Sequence, residues 1–216
     1  KLLCGNKLFL QEVLNLGIKQ MHDSRISNLK TVKMLDPTVQ TVYIKPPAKR
    51  SIKNLVTYAD VSLNTEMATL RLISEEAQKQ NKTHKVVIMI ELGDLREGIM
   101  GEEVVDFFRQ VFELPNIKVV GLGSNLNCLH GVMPSADKFI QLNLYKELIK
   151  AHFDYDIQSI SGGTSVVLPM LFRNQLPEAV NHFRVGETLY FGLNIEDGTT
   201  FEGMHDDVFK LRMEII

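Results

Sequence analysis

The chain has 216 residues, 44% of them apolar, and a formal charge of −2 from 24 basic and 26 acidic residues spread along its length. That is enough chain to bury one sizeable core, and no basic block marks a nucleic-acid footprint or a membrane-surface arm. No apolar run approaches the roughly 18 residues of a membrane span. Two isolated thiols, Cys4 and Cys128, with no CxxC or HExxH spacing, fit a reducing cytoplasm and no zinc site.

Apolar, β-branched runs alternate with longer helical patterns. Asn6 is placed to cap a helix that runs to Leu16 and ends at Gly17. A short strand over 18–22 precedes a helix from Ser24 to about Leu35, stopped by Asp36 and Pro37. Residues 40–44 read as a strand, 52–59 as a short helix and 61–64 as another strand. Met67, Leu70, Ile73 and Ala77 then fall on one helical face. KVVIMIEL at 85–92 is continuously apolar, as expected of a parallel strand covered on both faces. Helix 102–113 leads to strand 118–122, helix 136–153 to strand 157–160, and helix 165–175 to strand 183–189.

Both ends are expected to be cuts. Nothing like a start precedes Lys1, and KLRMEII at the other end looks like entry into a strand. With a clipped first strand ahead of Lys1, about eight βα units result. Strict βα alternation with right-handed crossovers leaves an open doubly wound sheet or a closed ring, and eight units favour closure into a (β/α)8 barrel, an α/β fold of about 250 residues. Neither a GxGxxG turn nor a Walker loop is present. The expected division is a barrel over 1–193 and an exit segment over 194–216, leading toward a β domain outside this chain.

Barrel sites lie at the carboxyl ends of the strands, so residues just past each apolar run carry the chemistry. SGGTS at 161–165 is the strongest signal. Glycines let backbone N–H groups approach a ligand, a helix start adds partial positive charge, and Thr164 and Ser165 add hydroxyls. RVGE at 184–187 supplies the adjacent loop, and this pair of loops often holds phosphate in barrels. A Gly-Gly turn with a Ser/Thr cap accounts for the same residues without a ligand. ELGDLREGIM at 91–100 sets Asp94 and Arg96 over the mouth, or forms a surface charge cluster with Glu97. Arg184, between two apolar residues, needs a partner, either a structural ion pair or a ligand. His22 and His130 read as structural, and Asn125 and Asn127 as turn formers.

Taken together, KLLCGN, HDSRISNLK, ELGDLREGI, GLGSNLNC, SGGTS and FRVGETLYFG resemble fold-type III pyridoxal phosphate enzymes, in particular the ornithine racemase-like branch of the alanine racemase superfamily. The resemblance runs along nearly the whole chain. It implies pyridoxal phosphate as cofactor, a free amino acid as substrate, racemisation as the activity and a cytoplasmic homodimer as the working form, with no nucleic acid, membrane or metal. Lys1 matches the Schiff-base lysine, Arg96 the arginine at the cofactor's phenolic oxygen, and Arg184 the arginine facing the pyridine nitrogen. Phosphate contacts match Gly163, Thr164 and Ser165, with the backbone at Gly186 and Glu187 from the next loop, and Ser161 is a further expected cofactor contact. Chemically this is coherent. The cofactor acidifies Cα–H, and an arginine opposite the ring nitrogen favours simple proton exchange, with Lys1 as base on one face.

Three departures separate the chain from strict alanine racemases. Gly5 stands where they carry a phosphate-binding tyrosine, and Asn125, an expected cofactor contact, replaces a histidine. Their second base is a tyrosine from a carboxyl-terminal domain outside this chain. Two other readings compete: a single-barrel pyridoxal phosphate homeostasis protein with little catalysis, and a phosphate-binding aldolase-type barrel that uses a lysine imine.

Overall fold

A computed structural model describes residues 2–127, 131–210, 212 and 214; Lys1, Cys128 and His130 lie outside the described residues. Seven parallel strands follow one another around a single sheet in chain order. They are β1 (Gln20–Asp23), β2 (Gln40–Tyr43), β3 (Val61–Asn64), β4 (His84–Met89), β5 (Ile117–Gly123), β6 (Ser159–Thr164) and β7 (His182–Arg184). The helices α1 (Lys7–Asn15), α2 (Ile26–Leu35), α3 (Ile52–Tyr58), α4 (Met67–Lys79), α5 (Val104–Phe112), α6 (Ala136–Phe153), α7 (Leu168–Phe172) and α8 (Glu187–Phe191) alternate with them. The result is a nearly closed TIM-like barrel.

The continuous apolar run in β4 shows why the ring forms. Val87 and Met89 point inward and join Val42, Val61 and Leu63 in the barrel interior. Val86 and Ile88 point outward and pack with Phe108, Leu122, Phe139 and Ile160 beneath the helices. A strand with both faces buried is stable only between two apolar layers, here the barrel interior and the helix ring. The amino-terminal half has its own outer cluster, in which Leu10, Leu29, Leu55 and Ile73 are fully buried.

Among the described residues β1 and β7 are the edge strands, and side chains bridge them. The rings of His22 and His182 stack with centroids 5.3 Å apart, and His182 Nε2 donates to Gln20 Oε1 at 2.8 Å.

Two elements differ from the sequence-based expectation. The strand expected over 183–189 ends at Arg184, because the backbone turns at Gly186 into the five-residue α8, which Gly192 stops at φ 66°. The helix expected over 165–175 is a 3-10 turn followed by the five-residue α7. Asn174 at φ 55° closes α7 while Gln175 N–H donates back to Met170 O at 2.9 Å, a Schellman-type stop.

Phe108 is fully buried in α5 and meets Phe112 edge-on with centroids 5.6 Å apart. Phe108→Ala is expected to cost about 3–5 kcal/mol of stability through lost burial and a residual cavity, read as a lower urea midpoint with an unchanged slope.

Candidate active site

The carboxyl ends of β6 and β7 build the site. SGGT lies inside β6, not beyond it, and the pairing of β6 with β7 shifts register between Ser161 and Thr164. The glycines make that shift possible. Gly163 sits at φ 111°, and a Cβ on Gly162 would stand 2.6 Å from Val180 Cγ1. Ser165 Oγ, buried, accepts the N–H of Gly186 at 3.1 Å and of Thr188 at 3.4 Å, tying the loop after β7 to the end of β6.

Thr164, Ser165 and Gly186 line a cavity of about 520 Å³ together with Leu2, His22 and Tyr190. Thr164, Ser165, Arg184, Gly186 and Glu187 all face it, so both loops of the expected anion cradle share one space. That volume is within the range of small-cofactor pockets. Asn125 and Ser161 join them through Arg184. Arg96, in contrast, is exposed on the loop after β4 and is not among the lining residues. Lys1 lies outside the described residues; its neighbour Leu2 is buried in the wall.

Arg184 organises the floor. It is 9% exposed and donates from Nη1 to Ser161 Oγ at 2.5 Å, and from Nη2 to Ser124 O at 3.2 Å and to Asn125 Oδ1. Asn125 Nδ2 donates in turn to Glu97. Burial pushes the Glu97 carboxyl up, while Arg96 and Arg184 pull it down.

Proton positions follow by elimination along this chain. His22 and His182 both direct Nε2 to Gln20 Oε1, each at 2.8 Å, so both carry the proton on Nε2. His182 Nδ1 then accepts from the Ser161 hydroxyl at 3.0 Å, and Ser161 Oγ accepts from Arg184. Burial, the opposite ring and the Arg184 charge hold His22 down to about 3. Burial and Arg184 hold His182 down to about 4. Both rings are therefore neutral at pH 7. His22 Nδ1 and Ser124 Oγ are buried without a hydrogen-bond partner among the described residues, and His22 lines the cavity.

Sequence reasoning misses Gln20, His182 and Tyr190. A signal exists for one: His182 precedes Arg184 by two, so both project from the same face of a strand. Gln20 meets His182 from 162 residues away, a contact no local pattern encodes.

The family model described as Alanine racemase, N-terminal domain, matches residues 7–194. The chain is similar to an ornithine racemase of Acetoanaerobium sticklandii, at 33% identity over all of this chain and 61% of that one. It is also similar to a lysine racemase of Thermotoga maritima, at 25% identity over all of this chain and 60% of that one. It thus spans about three fifths of the length of these curated relatives. Among solved structures, PipY of Synechococcus elongatus with PLP bound has the same fold, with a TM-score of 0.72 at 14% identity, covering 85% of this chain and 86% of that one.

Three histidines, one buried and two half-buried, set a pH dependence. His22 and His182 are joined by His84, held down to about 4 mainly by burial. The unfolded chain binds protons at these rings near pH 6.5, whereas the folded chain refuses them until about pH 4 or below. Stability is expected to be full above about pH 6.5 and to fall as the pH drops through that window, by up to about 1.4 kcal/mol per pH unit for each ring. Urea midpoints measured across the window check this. His182→Asn is expected to give a shallower slope than wild type.

Proposed function

Because the chain belongs to the alanine racemase N-terminal domain family, we propose that it is the cofactor-binding barrel of an amino-acid racemase whose substrate is a free amino acid with a basic side chain. The cofactor is pyridoxal phosphate. The observation that carries this reading is the convergence of Thr164, Ser165, Arg184 and Gly186 on one cavity that Leu2 helps to wall. The ornithine and lysine racemases to which the chain is similar support the substrate class.

The residues present fit that group. Thr164 and Ser165 both line the cavity, and their hydroxyls suit phosphate oxygens. Arg184 offers a fixed charge and only donors, which suits an unprotonated ring nitrogen.

Pyridoxal phosphate supplies an electron sink that acidifies the substrate's Cα–H. Thr164 and Ser165, with the backbone at Glu187, would hold the phosphate end, while the Gly186 N–H is taken by Ser165 Oγ. Arg184 would face the ring nitrogen with donors only, which would keep a proton off it and favour simple proton exchange. Ser161, Asn125 and the Ser124 carbonyl fix the guanidinium in place. Lys1 takes or returns the proton on one face of Cα. The resemblance assigns Arg96, which is exposed on the loop after β4, to the phenolic oxygen.

A second reading, a single barrel that binds the cofactor with little catalysis, rests on the likeness to PLP-bound PipY. Incubating the full-length protein with L-ornithine, L-lysine and L-alanine in deuterated water separates the two. Exchange at Cα with inversion is expected for a basic substrate. Bound cofactor without exchange on any amino acid leaves the second reading. Ser165→Ala removes a hydroxyl from a charged ligand and is expected to weaken pyridoxal phosphate affinity about 10- to 100-fold with turnover at saturating cofactor little changed, measured by titrating apoenzyme.

A further inference from the structure

We infer that Asp23, at the end of β1, is a positioning residue for Lys1, its buried carboxylate clamping the amide of Leu2 just ahead of a left-handed turn over residues 3–5. The inference rests on the proposed role of Lys1 as the residue that holds the cofactor.

Asp23 closes β1 and is fully buried. Its Oδ2 accepts the N–H of Leu2 at 3.0 Å and Asn28 Nδ2 at 3.1 Å, and its Oδ1 accepts the N–H of Arg25 at 2.6 Å. A carboxylate is costly to bury unless donors surround it, and here three do. One of the three is the amide joining Lys1 to Leu2.

Past that amide the backbone is unusual. Leu3, Cys4 and Gly5 take φ of 44°, 57° and 75° in succession. Two of these are not glycine, and left-handed backbone is disfavoured for such side chains. Side-chain burial does not hold the turn, since Cys4 is exposed and Leu3 only half-buried. Hydrogen bonds hold it: Gly5 N–H donates to Leu2 O at 2.7 Å, Asn6 N–H to Leu3 O at 3.1 Å, and Leu2 N–H to Asp23. Strain kept in place by polar contacts beside a reacting group points to a positional requirement.

Gly5 and Asn28 complete the lock. A Cβ on Gly5 would stand 2.5 Å from Asn28 Oδ1, and Asn28 is itself buried and oriented by Asp23. KLLCGN and HDSRISN are thus two halves of one device. This also accounts for glycine where alanine racemases carry a tyrosine: any side chain there meets Asn28. The Asp23 charge reaches the cavity as well. Burial, and after it Asp23, pushes up the phenol of Tyr190, which lines the wall. The clamp thus fixes the peptide on the carboxyl side of Lys1.

The test uses the full-length protein as wild type, Asp23→Asn and Gly5→Ala. Two quantities are read for each: the yield of cofactor fixed on Lys1 after borohydride reduction, by intact and peptide mass, and the affinity for pyridoxamine phosphate, which has the ring and phosphate but no aldehyde. Both variants are expected to lose about tenfold or more in fixed cofactor at limiting pyridoxal phosphate, the scale on which small misplacement of a reacting group acts. Pyridoxamine phosphate affinity is expected to stay at the wild-type value. Wild-type yield in either variant overturns the inference. So does a parallel loss of analogue affinity, or of the circular dichroism signal in Asp23→Asn, because either assigns the carboxylate to general stability. A wild-type protein that binds the analogue but fixes no cofactor on Lys1 overturns the proposed role of Lys1 itself.

Discussion

Arg184 keeps a permanent positive charge at the top of β7 with little of it open to water, and the barrel mouth is arranged around that constraint. Its donors are met by a serine hydroxyl, a backbone carbonyl and an amide oxygen, with the Glu97 carboxylate one step further out. Burial first, and the cation after it, fix protonation nearby. Two stacked imidazoles stay neutral beside it, and their remaining protons converge on a single amide oxygen of Gln20. Electrostatics and hydrogen-bond direction agree at every link from Glu97 to Gln20, which is what makes a buried polar chain tolerable.

That chain also joins β7 to β1, the two edges of the sheet, so the same side chains that order the floor of the cavity bring the ends of the ring together. The cradle beside it depends on another shared atom. Ser165 Oγ takes two N–H groups from the loop after β7, so the two loops facing the cavity move as one piece. Donors placed on strand ends and locked to one another need little reorganisation when an anion arrives.

The departures from the alanine racemase pattern have physical settings here. Asn125, standing where a histidine is expected, bridges Arg184 and Glu97 with one amide, accepting from the cation and donating to the carboxylate. Gly5 lies in left-handed backbone directly over Asn28. Both belong to contacts that reach the cavity wall or floor.

Strand and helix order, the alternation that implies a parallel barrel, and the SGGTS and RVGE signals are all local properties, set by side-chain period and by glycine's freedom at particular positions. They are legible in the sequence alone. Boundaries are less so. Residues 187–191 are apolar enough to extend β7, yet they coil, because Gly186 breaks the strand and the buried Thr188 hydroxyl finds the Leu193 carbonyl at 2.8 Å. The polar chain through Gln20, His182, Ser161 and Arg184, and the clamp of Asp23 on Leu2, belong to the tertiary structure. They join residues from 21 to 162 positions apart, and only the closing of the ring brings such groups within hydrogen-bonding reach.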